Sequence, residues 1–308
     1  MMHRLNSNIK IEKNLSLDHY KDIGVLQKIC AQYDQTSLKL ELDFKLNRAG
    51  GENDRPDERN EFLYYSDHRL VGYIGICSFG GNGIEVNGMI HPDYRRQGIF
   101  TELFSFVKDE WAARAYPDML LLSDHNSASG LGFIKHTGAV HDHSEYEMYL
   151  NSNSKQEAKV KHVVLRKATN EDAKEIARQN FIYFEEEFDQ EQEENVLLPE
   201  DEEQYGSLIF LAEAEGKIIG KVHLEKNEKT GGIYGLGVIP EHRRKGYGRE
   251  ILLMAINILL ENDSENIMLQ VATKNKSALN IYKSCGFEET SIMDYYKMKR
   301  KSSAKHIS

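Results

Sequence analysis

Gly237-Val-Ile-Pro-Glu-His-Arg-Arg-Lys-Gly-Tyr-Gly248 runs directly into Arg249-Glu-Ile-Leu-Leu-Met-Ala-Ile-Asn-Ile-Leu-Leu260. The first piece reads as a strand end followed by a basic glycine turn. The second reads as a long helix, apolar over Ile251–Leu260 but for Asn257. A helix start leaves unpaired N–H groups and the positive end of the helix dipole. Glycine at 246 and 248 lets those amides approach a bulky anion, and Arg243, Arg244 and Lys245 add charge beside them. A diphosphate fits that site. The turn is not a dinucleotide fingerprint, because no third glycine follows Gly248, and it is not a P-loop, because no Gly-Lys-Ser/Thr is present.

The turn has a second copy upstream. Val86-Asn-Gly-Met-Ile-His-Pro-Asp-Tyr-Arg-Arg-Gln-Gly-Ile-Phe100 matches Tyr234–Gly248, with Pro92 on Pro240 at an offset of 148 residues (240 − 92). Gly98 and Gly246, Gly72 and Gly220, and Gly138 and Gly286 keep the same offset. A constant offset over so long a stretch marks an internal repeat. At roughly 100–200 residues per domain, two domains are expected. We place them at 1–150 and 161–308, joined by a polar linker over 151–160 that begins Asn151-Ser-Asn-Ser.

Period and punctuation give the elements of the second copy. Strands are expected at Val163–Lys167, Ser207–Glu213, Ile218–Leu224, Ile233–Ile239 and Asn266–Val271, with Tyr295–Met298 closing the sheet. Glu215-Gly216-Lys217 is the turn of a hairpin. Helices are expected at Asp172–Phe184, Tyr247–Leu260 and Asn275–Cys285, the first opened by Thr169-Asn-Glu-Asp172 and the last ended by Gly286. The acidic stretch Glu185–Glu203 is a loop or an exposed helix. Hairpins followed by a βαβ unit give an α/β fold: in each copy a mixed, largely antiparallel sheet flanked by helices.

The formal net charge of −10 argues against a nucleic-acid-binding protein, whose affinity is dominated by phosphate contacts. No run approaches the ~18 apolar residues of a membrane span. Met1–Lys13 has no apolar core of the kind a secretory signal needs, so a cytoplasmic location is expected. Cys30, Cys77 and Cys285 lie far apart without metal-ligand spacing. They read as small core residues, and no metal is expected.

With these residues on the page, the chain resembles the GNAT superfamily of N-acetyltransferases, as a tandem of two such domains. Arg243-Arg-Lys-Gly246-Tyr-Gly248 after its strand looks like the family's motif A turn. Asn275-Lys-Ser-Ala-Leu-Asn-Ile-Tyr282-Lys-Ser-Cys-Gly286-Phe287 resembles its motif B. The resemblance covers residues 162–298 and, more loosely, 9–150. It implies that acetyl-CoA is bound as co-substrate, its pyrophosphate on the amides of the turn around Arg243, Arg244, Lys245, Gly246, Tyr247 and Gly248. It also implies that backbone groups of Leu236 and Val238 pair with the pantetheine arm, that Asn275 hydrogen-bonds that arm, and that Tyr282 protonates the leaving thiolate as general acid. The reaction implied is direct attack of a primary amine, on a small molecule or peptide, at the thioester. Many family members carry a glutamate base at the start of the strand before the turn. Here that position falls near Gly232-Ile233, so Glu225 is the candidate base, with His223 two residues before it and a water-mediated path as alternatives.

The copies differ at these positions. Phe100 stands where Gly248 is, Ile134 where Tyr282 is (282 − 148), and Ser127 where Asn275 is. The first copy is therefore expected to keep the fold while Arg95, Arg96, Gln97 and Gly98 form only a degenerate second site. Acidic Glu185–Glu194 and Glu200–Glu203 read either as a solvated stretch or as a negative rim that would favour a cationic acceptor. The competing reading is a non-catalytic module that binds or senses acyl-CoA.

Overall fold

The computed structural model describes residues 7–49, 58–79, 83–114, 116–151, 162–184, 198–227 and 229–300. The expected linker beyond Asn151, the acidic run Glu185–Glu194 and the tail beyond Arg300 lie outside the described residues.

The chain forms two compact units, residues 1–144 with 291–308, and residues 145–290. The first contains β1 (Ser7–Glu12), α1 (Leu17–Asp34), α2 (Leu42–Arg48), β2 (Glu61–Ser66), β3 (Arg69–Cys77), β4 (Gly83–Ile90), α3 (Ile99–Ala113), β5 (Asp118–Asp124) and α4 (Ala128–Thr137). Strand β6 (Val140–Leu150) then leads into the second unit. That unit contains β7 (Val164–Lys167), α5 (Ala173–Phe184), α6 (Pro199–Glu203), β8 (Ser207–Ala214), β9 (Lys217–Asn227), β10 (Thr230–Val238), α7 (Tyr247–Glu261), β11 (Asn266–Ala272) and α8 (Lys276–Ser284). Strand β12 (Phe287–Lys299) returns to the first unit.

This partition divides the chain elsewhere than at the expected boundaries of 150 and 161. In the first unit the strand order is β1-β2-β3-β4-β5-β12, and in the second β6-β11-β10-β9-β8-β7. Met293–Lys299 of β12 lies antiparallel to β5, and Glu145–Tyr149 of β6 lies antiparallel to β11. Each copy thus gives its last strand to the other's sheet. Tyr295–Met298 does close a sheet, but that of the first unit. The physical reason is edge satisfaction: β5 and β11 each need an antiparallel neighbour, and either copy's last strand offers the same row of N–H and C=O groups.

Within each sheet the one parallel pair is β4/β5 or β10/β11, and the other pairs are antiparallel. The hairpin turns sit at the same offset. Glu215 and Gly216 both have positive φ, as do Asp67 and His68, which matches the twist that two-residue hairpins require. Thr169 and Asp172 form a reciprocal capping box ahead of α5. Arg166 also holds Asp172, lowering its carboxyl to about 2. In the second unit α7 buries Ile251, Leu252, Ala255, Ile256 and Leu259 against one face of the sheet, with Val222, Leu224 and Ile233 beneath. α5 covers the opposite face through Ile176, over Ile209 and Leu211. In the first unit α3 and α1 take the same two faces.

Candidate active site

The second unit's sheet opens beside the glycine turn. Strand β10 pairs with β11 only from Thr230 to Ile233. Against β9, its register shifts between Tyr234 and Gly237, so that Gly235 and Leu236 together face Val222. This bulge leaves two backbone units out of the ladder at the point where the sheet splays. Past it, Pro240–His242 makes one tight helical turn, Arg244 takes φ +63°, and Gly246 takes φ +88° as the N-cap of α7. Nothing lies within 4 Å of where a Gly246 Cβ would be, so the left-handed φ, not crowding, selects glycine there. The Arg249 and Glu250 amides close onto Gly246 O. The amides of Tyr247 and Gly248 are then the orphan donors of the first turn.

The sequence-predicted residues have different local contacts. Arg243 Nε donates to Val238 O at 2.8 Å, so this arginine braces the turn and occupies the carbonyl of a residue whose backbone the resemblance pairs with pantetheine. Arg244 and Lys245 are exposed. Asn275 caps α8, its Oδ1 accepting from Ala278 N at 3.1 Å, which leaves the Nδ2 donors for another acceptor. Tyr282 is 8% exposed and packs edge-on to Phe287. Desolvation pushes its phenol up to about 12, and its hydroxyl has no hydrogen-bond partner among the described residues. Glu225 lies opposite Gly232 on β9, and its Oε1 is 3.6 Å from His223 Nε2, which is hydrogen-bonded to Ser207.

Sequence reading missed Lys221 and Tyr183. Lys221 is 3% exposed on β9, opposite Gly237, and its Nζ donates to Gly235 O at 3.3 Å. Burial alone lowers its ammonium to about 8. Tyr183 of α5 lies across Gly237, where any Cβ would strike its ring, and beneath the Lys221 ammonium. The available signal was the alternation Lys221, His223, Glu225 on one strand face.

The first unit repeats the backbone and fills the space. Arg96 at φ +62° and Gly98 at φ +83° reproduce the turn. Phe100 packs on Phe133 with ring centroids 4.5 Å apart, at the places of Gly248 and Ile281. Arg95 Nε braces Ile90 O at 3.0 Å, but its other nitrogens grip Asp34 of α1 at 2.7 and 2.6 Å. Gln97 donates to Asp93 O. Strand β4 has no bulge, and Gly88 alone faces Ile74. Ile134 is buried where the phenol would be. No group of three or more His, Cys, Asp or Glu that would suit a metal occurs among the described residues. Nor is any helix among them long and apolar enough to cross a membrane.

Two mixed sheets, each with a glycine turn at a helix start, define a tandem of two like domains. The pattern of the Acetyltransferase (GNAT) family matches residues 26–134 and again 170–287, and the chain belongs to that family, which uses acetyl-CoA. It is 26% identical over 106 residues to an N-alpha-acetyltransferase of Sulfurisphaera tokodaii, covering 30% of this chain and 64% of that protein. It is 35% identical over 95 residues to N-alpha-acetyltransferase 30 of Xenopus laevis, covering 29% of this chain and 35% of that protein. It is 34% identical over 88 residues to the mycothiol acetyltransferase of Thermomonospora curvata, covering 27% and 29%. The chain therefore spans less than two thirds of the length of each of these relatives. Among solved structures, a GCN5-related N-acetyltransferase from Sphaerobacter thermophilus superposes with a TM-score of 0.72 at 15% identity, over 96% of both chains. A tandem GNAT protein from the clavulanic acid biosynthesis pathway superposes at 0.66 and 14% identity, over 96% of this chain and 98% of that one. At such identities these likenesses speak for the fold alone.

Proposed function

We propose that the chain moves an acetyl group from acetyl-CoA to a primary amine of a small molecule or peptide, by direct attack, in the unit formed by residues 145–290. The pyrophosphate sits on the Tyr247 and Gly248 amides, with Arg244 and Lys245 beside it. The pantetheine arm enters where β10 leaves β11, within reach of Leu236, Val238 and the Asn275 amide. Holding thioester and amine together removes much of the bimolecular entropy cost. Glu225, backed by His223, takes the ammonium proton before attack. The tetrahedral oxyanion forms beside the bulge, where the Leu236 N–H is the donor. Collapse breaks the C–S bond, and Tyr282 gives its proton to the departing thiolate. A phenol raised to about 12 stays protonated across the neutral range, so it is a donor and not a base.

The acceptor's charge rests on Glu185–Glu194. In α6, Glu202 is buried, while Glu200, Asp201 and Glu203 are exposed, Glu203 being paired with Lys167.

The observation that carries this reading is the pairing, in one unit only, of an uncrowded Gly248 with a buried Tyr282 whose hydroxyl has no hydrogen-bond partner among the described residues. The test is free-thiol release from acetyl-CoA against a panel of amines. Tyr282→Phe should lower kcat about 100-fold with acetyl-CoA affinity unchanged. A variant that turns over at the full rate would show that the thiolate leaves without this acid.

A further inference from the structure

A strand interior is a costly place for an ammonium, and Lys221 holds one there with a single hydrogen bond, to Gly235 O, and one aromatic face, that of Tyr183. The surroundings are cut to admit it. Gly235 has φ +50°, and a Cβ there would come within 3.0 Å of Nζ. Gly237 is bare so that Tyr183 can lie across the strand. The first unit supplies the control. At the register place of Lys221 it has Tyr73, which donates to Glu61 at 2.5 Å and accepts from Lys45 at 3.0 Å, and its strand has no bulge. Lysine and bulge occur together or not at all.

A trans peptide points its C=O and the following N–H in opposite directions. With Gly235 O turned to Lys221, the Leu236 N–H is turned away from it. β11 offers no partner to β10 beyond Ile233. We propose that Lys221 is a positioning residue for acyl transfer: its ammonium clamps the Gly235–Leu236 peptide so that the Leu236 N–H is held, and polarised, as the donor to the oxyanion. This rests on the transfer reading above. Lys221 makes and breaks no bond; its charge fixes a dipole before the reaction, which lowers the reorganisation needed as the oxyanion forms.

Loss of that charge releases the clamp, and burial brings the loss to about pH 8. The titratable and charged groups packed around Lys221 are His223 and Glu225 on its own strand, Tyr234 on β10, Arg243 of the turn that follows β10, and Tyr183 on α5 with Glu175 and Arg178 beyond Gln179. The Tyr183 phenol is raised by burial, so it stays neutral through this range.

The test uses the full chain labelled with carbonyl-¹³C glycine and ¹⁵N leucine. Only two Gly–Leu peptides exist, Gly130–Leu131 and Gly235–Leu236, so two carbonyl resonances are selected. The Gly235 resonance should titrate with a midpoint near pH 8 in the native protein, and not in Lys221→Met. Over the same range kcat at saturating amine should fall in the native enzyme. In Lys221→Met it should be flat and roughly 10- to 100-fold lower, with the acetyl-CoA KM within about twofold. A native Gly235 resonance that ignores pH between 7 and 9 overturns the clamp without recourse to any variant. So does a folded Lys221→Met with native kcat and native pH profile. A titrating Gly235 in a protein that acetylates no amine keeps the clamp and overturns the transfer reading instead.

Discussion

The turn at Arg95–Gly98 and the turn at Arg243–Gly246 follow one backbone, down to the two left-handed residues, yet they face opposite ways chemically. In the second unit the groups beside the turn make few internal contacts: Gly248 is bare, the Asn275 amide is half-used, and the Tyr282 hydroxyl has no partner among the described residues. In the first unit the corresponding groups are used internally. Arg95 grips Asp34, Phe100 closes on Phe133, and Tyr73 bonds Glu61 and Lys45. Glu85, which takes the register place of Gly232 and so the family's usual base position, pairs with Lys39. The difference teaches that the fold of this family sets where a site can be, while a few side chains at its mouth decide whether the protein keeps that site for itself.

The strongest way to break the comparison is to move the aromatic plug. Gly248→Phe reproduces Phe100 in the second unit, where the space ahead of Gly248 is bounded by Ile281 and Val238 at 3.6 and 3.7 Å from an ideal Cβ. Acetyl-CoA affinity by calorimetry should fall by about 1,000-fold, or roughly 4 kcal/mol. The melting temperature should hardly change, because the position opens onto solvent. Retained binding would mean that Phe100 is no obstacle in the first unit either.

A smaller effect of opposite sign comes from Lys221→Met. The native ammonium titrates at about 8 against an ordinary value of 10.5. The unfolded chain therefore holds more protons between those values, and native stability rises with pH across that window. Below pH 8 the buried charge is present at its full cost, and replacing it should stabilise the second unit by about 3 kcal/mol at pH 7. Denaturant unfolding at pH 7 and pH 10 measures this, and the gain should shrink at the higher pH. A site residue whose removal stabilises the protein while slowing it is held for function. Equal stability of the two proteins at pH 7 would remove that argument.

Arg95→Met is expected to act in the other unit alone. It strips Asp34 of a bidentate partner and Ile90 O of a donor, which should cost about 2 kcal/mol of stability. Turnover should stay within about twofold of native if the first unit holds no working site. A large rise in the acetyl-CoA KM would show instead that the first turn takes part in binding.

Much of this contrast can be read in the sequence. The constant offset aligns Gly98 with Gly246 and Phe100 with Gly248, and both glycines do adopt positive φ. Helices and strands declare themselves by period, and α8 by the Gly286 that follows it. The rest is hidden for physical reasons. A closing strand such as β12 carries the same alternation whichever sheet it joins, so the exchange with β6 leaves no mark. The bulge depends on how Tyr234–Gly237 counts against β9, and Gly235-Leu-Gly237 alone does not reveal a register shift. Lys221 looks like the exposed member of an alternating strand until α5 is seen to cover that face. Arg95 looks like a phosphate ligand until Asp34, 61 residues away, is brought to it.

The finest comparison is between Asn275 and Ser127, which cap equivalent helices in the same way. Asn275 Oδ1 accepts from Ala278 N at 3.1 Å, and Ser127 Oγ accepts from Gly130 N at 3.2 Å. Serine and asparagine are nearly equal as caps, so Asn275→Ser should leave stability within about 0.5 kcal/mol. What it removes is the Nδ2 pair of donors. If these reach an acceptor on the pantetheine arm, the acetyl-CoA KM should rise about 5-fold, near the value of one neutral hydrogen bond, while kcat is held. An unchanged KM would make Asn275 a cap and nothing more, and would place the recognition of the arm on the backbone of β10.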